Sequence, residues 1–143
     1  MEKQSVETIL GGEKLLGHRI RNDFDFIEIS KKGIPTQAAT HFMFTFKITQ
    51  LVMSKMLRVS PRTLQRKRPG ERLNPVASER LLETAEAYQR GVEVLGTDEA
   101  TSKWMAEENV ALGGLTPLSL LETHRGTQLV LDVLGRIEWG VFS

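Results

Sequence analysis

The chain has 143 residues, no cysteine, and 19 basic against 18 acidic residues, for a formal charge of +1. That length buries a real core unaided, and the lack of cysteine excludes a disulfide framework and a thiolate metal site. No apolar run reaches the roughly 18 residues of a membrane span, and Glu2, Glu7 and Glu13 argue against a secretion signal, so a cytoplasmic setting is expected.

The near-zero sum hides a segregation of charge. Between Lys55 and Arg72 stand Lys55, Arg58, Arg62, Arg66, Lys67, Arg68 and Arg72, opposed by Glu71 alone, a net of +6. From Leu73 to Ser143 eleven acids face five bases, a net of −6. A concentrated positive segment suggests a polyanion partner, and the acidic remainder needs a different task.

Residues 1–22, with Gly11, Gly12 and Gly17, show little pattern and read as a mobile arm with a short helix near Val6–Leu10. Asp23 to Lys32 reads as a short helix ended by Gly33, although the alternation of Phe24, Phe26, Ile27 and Ile29 leaves a strand open. Pro35 to about Lys47 reads as a helix, with His41 packed among apolar neighbours. Thr49 caps a helix to Leu57 whose inner side is set by Leu51, Met53, Ser54 and Leu57. Ser60–Pro61 starts a helix over 61–68, and Pro69–Gly70 stops it.

The clearest periodicity runs from Pro75 to Leu95. Asn74 is the cap, and Ala77, Leu81, Ala85, Tyr88, Val92 and Leu95 form one stripe. Thr97 or Asp98 caps the next helix, which buries Trp104 on one side. Val110–Pro117 is a loop with paired glycines. A short helix follows from Thr116–Pro117 to Leu121. The last helix spans Gly126 or Thr127 to Trp139, with Leu129 or Val130, Val133, Leu134 and Ile137 inside. The expected organisation is all-α: an arm over 1–22, a helix-turn-helix region over 23–74, and a C-terminal helical domain over 75–143.

Two short helices joined by a tight turn make a helix-turn-helix, the second helix meeting base edges. On that reading Arg62, Gln65 and Arg66 face the groove, where arginine suits guanine and glutamine suits adenine. Arg58, Lys67, Arg68 and Arg72 neutralise phosphates, Ser60 caps, and Thr63 touches phosphate or base. The stretch from Ile48 to Lys67 resembles the helix-turn-helix of Cro and related phage-repressor-like regulators. It departs at Arg58, where that pattern has glycine, and at Lys67, where it has an apolar residue. A left-handed turn at Arg58 would carry strain.

No nucleophile, base and orienting group assemble in the chain, and His18, His41 and His124 lack metal-ligand spacing. Glu79, Glu83 and Glu86 share a helix face, most simply a solvated one. The chain therefore reads as non-enzymatic, with no cofactor and no metal. Trp139, Val141 and Phe142 crowd the end around Gly140, and such an apolar tail either folds back or meets a partner.

The run Trp104, Leu112, Gly113–Gly114, Thr116–Pro117–Leu118, Leu121, Thr123, Gly126, Val130, Leu134, Arg136–Ile137 and Gly140 closely resembles the toxin-binding domain of Xre/MbcA/ParS-type antitoxins. The resemblance covers about residues 75–143. It implies an antitoxin that neutralises a RES-domain toxin, which depletes NAD, by occluding its active site. It also implies repression of the shared operon through operator DNA, with a homodimer expected because one short recognition helix reads little sequence. The toxin-facing set is then Arg136, Trp139, Gly140, Val141, Phe142 and the Ser143 carboxylate. The competing expectation is a stand-alone repressor whose C-terminal half only oligomerises.

Overall fold

The computed structural model describes residues 5–65, 68 and 70–140. Ten α-helices follow in chain order: α1 Val6–Ile9, α2 Gly12–Leu16, α3 Asp23–Lys32, α4 Thr36–Phe46, α5 Gln50–Leu57, α6 Pro61–Gln65, α7 Pro75–Leu95, α8 Asp98–Ala106, α9 Pro117–Leu120 and α10 His124–Glu138. Among the described residues a single 3-10 turn, Val110–Leu112, lies before α9.

Side-chain caps set most helix starts. Asn22, Thr49, Ser60, Asn74, Thr97, Thr116 and Thr123 each accept from a backbone N–H three residues on, at 2.8–3.2 Å. Each such cap is worth about 1 kcal/mol. The cap at Thr123 starts α10 at His124, earlier than Gly126, because its side chain takes the Gly126 N–H at 2.9 Å. In α3, Asn22 caps, Asp23 and Asp25 fill the first turn, and Lys31 and Lys32 fill the last. That charge order suits the helix dipole and decides for helix over strand. The apparent alternation was a coincidence of phase: Ile29 is buried, whereas Phe24 is 80% exposed.

Helix α7 is the axis of the molecule. It packs against α1, α3, α5, α8 and α10. Of its predicted stripe Ala77, Leu81, Ala85 and Tyr88 are buried while Val92 and Leu95 are half-buried, and Ser78, Arg80, Leu82, Thr84, Ala87 and Gly91 are buried as well. The wider burial follows from neighbours on several sides. Tyr88 stacks edge-on with Phe42 and tilts over Phe46, with ring centroids at 5.0 and 4.6 Å. Burial pushes its phenol well above the ordinary tyrosine range. At Gly91 an added Cβ would lie 2.6 Å from the Thr101 methyl, so glycine lets α8 approach closely.

The two connections flanking the helix-turn-helix run side by side. Leu73 N–H donates to the Ile34 carbonyl at 2.8 Å, and Thr36 N–H donates to the Glu71 carbonyl at 3.0 Å. The Ser78 hydroxyl accepts from Ile34 N–H at 2.9 Å. Gly33 makes this possible: its φ is +95°, and a Cβ there would sit 2.6 Å from the Leu73 carbonyl oxygen.

Four expectations need correction. Residues 5–22 are packed, not a mobile arm: Ile9, Leu10 and Leu16 are fully buried, α1 lies against α4 and α7, and Glu7 accepts from Ile20 N–H. His41 is exposed, because the turn of α4 that buries Phe42 and Phe46 carries it outward. Leu51 of α5 is exposed and Met56 takes its place inside. Trp104 is only half-buried, with Thr101 and Met105 forming the inner side of α8.

Candidate functional site

The turn between α5 and α6 is built from the predicted residues. Arg58 adopts φ 58° and ψ 42°, the left-handed conformation in which Cro-like turns place glycine. Its N–H donates to the Ser54 carbonyl, and Val59 N–H donates to the same oxygen at 3.1 Å. Ser54 is buried between the two helices, and its hydroxyl donates to the Leu51 carbonyl at 2.7 Å. Leu64 anchors α6 in the core. Ser60 caps Thr63 through its N–H and meets its hydroxyl at 3.0 Å.

Anchored in this way, α6 presents Arg62 and Gln65 to solvent, flanked by exposed Arg58 and Ser60 and half-buried Thr63. Gln65 donates from Nε2 to the Gln50 side chain at 3.1 Å, a contact from the start of α5 to the recognition helix. Nothing in the sequence around Gln50 signals this contact. Arg68 and Arg72 are also exposed, and Arg72 donates to the Gly33 carbonyl at 2.7 Å, which fixes the stem of that charge. Arg66 and Lys67 lie outside the described residues.

The second predicted site lies at the end of α10. Arg90 on α7 forms a two-pronged ion pair with Glu138 at 2.7 and 2.8 Å and also reaches Glu93 at 3.2 Å. The bond to Glu138 is the main reason its guanidinium holds its proton more tightly than usual. This clamp fixes the last turn of α10. Beyond it Trp139 is 79% exposed, Arg136 is exposed one turn earlier, and Gly140 takes φ +70°. Trp139 therefore does not fold back onto the core. Val141, Phe142 and Ser143 lie outside the described residues.

The remaining motif residues shape the domain. Asn109 accepts from Ala111 N–H at 2.9 Å, and Gly113 and Gly114 turn with positive φ. Thr116 caps α9, and Pro117, Leu121, Val130 and Leu134 are buried. At Gly126 a Cβ would fall 1.9 Å from the Leu120 carbonyl oxygen, so only glycine lets α10 begin where it does.

A buried arginine that the sequence reading missed joins the two regions. Arg80 is 6% exposed. It donates to the Met56 carbonyl at the end of α5 (3.2 Å), to the Leu121 carbonyl before α10, and to Glu83 (3.3 Å). Glu83 also meets His124 Nδ1 at 2.9 Å. The three glutamates are thus not equivalent: Glu83 is engaged, while desolvation, aided by Glu83 and Asp23, raises the carboxyl pKa of Glu86.

Against this geometry the comparisons are decisive. The antitoxin Xre/MbcA/ParS C-terminal toxin-binding domain matches residues 90–140, and the antitoxin Xre-like helix-turn-helix domain matches residues 25–86. An antitoxin of Sphingobium sp., "Prs ADP-ribosylating antitoxin", is 30% identical over 129 residues, spanning 83% of this chain and 81% of its own. The chain belongs to the Xre/MbcA/ParS-type antitoxins. The "Antitoxin Xre" of Yersinia enterocolitica is 37% identical over 87 residues, 59% of either chain, so this antitoxin aligns with under two thirds of that relative. Membership of this family carries the non-catalytic reading. Among the described residues no helix is long and apolar enough to cross a membrane. The two matched stretches meet inside α7.

Proposed function

We propose that this antitoxin neutralises a RES-domain toxin by laying the end of α10 across the toxin's NAD-binding cleft, and that it represses its operon as a homodimer bound to operator DNA. The observation that carries the first half is Trp139, 79% exposed on a helix end held rigid by the Arg90–Glu138 pair. A large aromatic on a preorganised support is the usual form of an interface anchor. Arg136 supplies a cation one turn away for an acidic toxin group, and the residues Gly140 to Ser143 extend the same end. For DNA, Arg62 and Gln65 of α6 read bases together with Arg66. Arg58, Lys67, Arg68 and Arg72 hold phosphates, with Ser60 and Thr63 at the helix start.

The Sphingobium relative is named for ADP-ribosylation of Prs, whereas a RES-domain toxin depletes NAD. ADP-ribosyl transfer from NAD and NAD hydrolysis both break the bond between nicotinamide and ribose, so one occluding end serves against either. The test is co-expression with the neighbouring toxin, reading growth, cellular NAD and protein-bound ADP-ribose. Trp139→Ala is expected to weaken toxin binding about thirtyfold and to restore toxicity while operator retention stays intact. Full neutralisation by that variant would refute the occluding end, and a wild-type chain that gave no protection would leave the stand-alone repressor reading in its place.

A further inference from the structure

A groove of about 210 Å³ runs between α3 and the start of α7. Its walls are apolar: Ile27 from α3, 49% exposed, faces Pro75 and Val76 from α7, the latter 57% exposed. Phe24, 80% exposed, continues the patch one turn back along α3. The Ser30 hydroxyl lines the groove, buried and without a hydrogen-bond partner. Isolated exposed apolar residues are ordinary, but a contiguous patch with a groove through it marks an interaction surface.

The charges at its rim indicate the occupant. Lys31 and Glu79 line the same groove, both exposed, and neither forms an ion pair among the described residues. One cation and one anion on a single apolar patch make the surface complementary to itself. A two-fold interface brings the same patch of both copies together, so each contact occurs twice. We infer that this groove is the homodimer interface: a second copy packs its α3 and α7 start against the first, and Lys31 faces the partner's Glu79 in both directions. Residues 75–79 directly follow residues 71–73, which are bonded to the Gly33–Thr36 backbone, so the pairing surface lies close in sequence to the recognition helix.

This inference rests on the homodimer part of the proposed function. Its test uses neither toxin nor operator, so the two can fail separately. Sedimentation velocity of the purified full chain gives the mass across a concentration series. Wild type is expected to dimerise. Lys31→Glu makes the patch wholly acidic and Glu79→Lys makes it wholly basic, and each replaces two attractions by two repulsions. Each variant alone is expected to raise the dimer dissociation constant about thirtyfold, from swings of roughly five- to sixfold at each of two exposed pairs. An equimolar mixture of the two variants should recover the dimer, because every facing pair is then opposite in sign, and that recovery also certifies that both variants are folded. A monomeric wild type, variants that dimerise like wild type, or a mixture that stays monomeric would each overturn the assignment. So would a Lys31→Glu variant that keeps its dimer and loses toxin binding, since the groove would then belong to the toxin.

Discussion

Replacing Arg80 with methionine removes a buried guanidinium while keeping most of its volume. Two main-chain carbonyls, Met56 and Leu121, lose their donor, and Glu83 keeps only His124. The Met56 carbonyl lies in the last turn of α5, where the helix supplies no partner of its own. An unsatisfied buried carbonyl costs about 1–3 kcal/mol, and breaking a buried charge pair from one side costs about 3–5 kcal/mol. The methionine side chain returns part of this through apolar contact, which leaves a net loss of about 3 kcal/mol. With an unfolding entropy of about 2 cal/mol/K per residue, a chain this long should melt about 10 °C lower. Urea titration followed by circular dichroism and by tryptophan emission gives the loss directly. Both probes should shift together, because Trp104 and Trp139 belong to the C-terminal half while Arg80 reaches into both. Arg80→Lys keeps the charge but not the fork that spans two carbonyls, and should fall between wild type and Arg80→Met. A loss under about 1 kcal/mol for Arg80→Met would show that the three bonds are dispensable and refute the reasoning.

Two further changes act on single residues. Arg58→Gly relieves a non-glycine residue in the left-handed conformation and should raise stability by about 1 kcal/mol in the same titration, while weakening non-specific DNA retention through loss of the proposed phosphate contact. Glu86→Gln should stabilise the protein at neutral pH. The folded carboxyl binds its proton more tightly than the unfolded one, so folding is penalised once pH rises above the ordinary carboxylate range and the penalty is complete above the folded value. The advantage of the glutamine variant should therefore shrink as pH falls into that range, as melting curves at pH 4, 5.5 and 7 would reveal.

Much of the helical framework was legible because it rests on local chemistry. Asn74 with Pro75, Thr49, and Ser60 with Pro61 announce helix starts whatever surrounds them, and Gly33 and Gly96 announce ends. The strain at Arg58 was legible as a departure from a turn that favours glycine. What stayed hidden depends on neighbours distant in sequence. Ile9 and Leu16 sit on helices of four and five residues and Leu10 caps the first, stretches too short to show a period, and α4 and α7 give them a place to be buried. His41 was misjudged because its chain neighbour Phe42 is apolar, while a helix turns by about 100° between them. Arg80 carries no local sign of its role, since nothing near it in sequence says that the Met56 and Leu121 carbonyls await it. At the candidate DNA surface the residue types were readable, but the Gln50–Gln65 contact was not.

The two matched stretches meet between residues 86 and 90, in the middle of an unbroken helix. A helix transmits phase as well as distance: each inserted residue turns everything beyond it by about 100° and advances it by about 1.5 Å. One extra residue there would carry the Leu121 carbonyl off Arg80 and His124 off Glu83, even though no core side chain had changed. Lengthening by a multiple of seven residues would nearly restore the phase. Descendants that exchange one half for a foreign one are therefore confined to junctions that conserve helical register, a constraint that a loop between the halves would not impose.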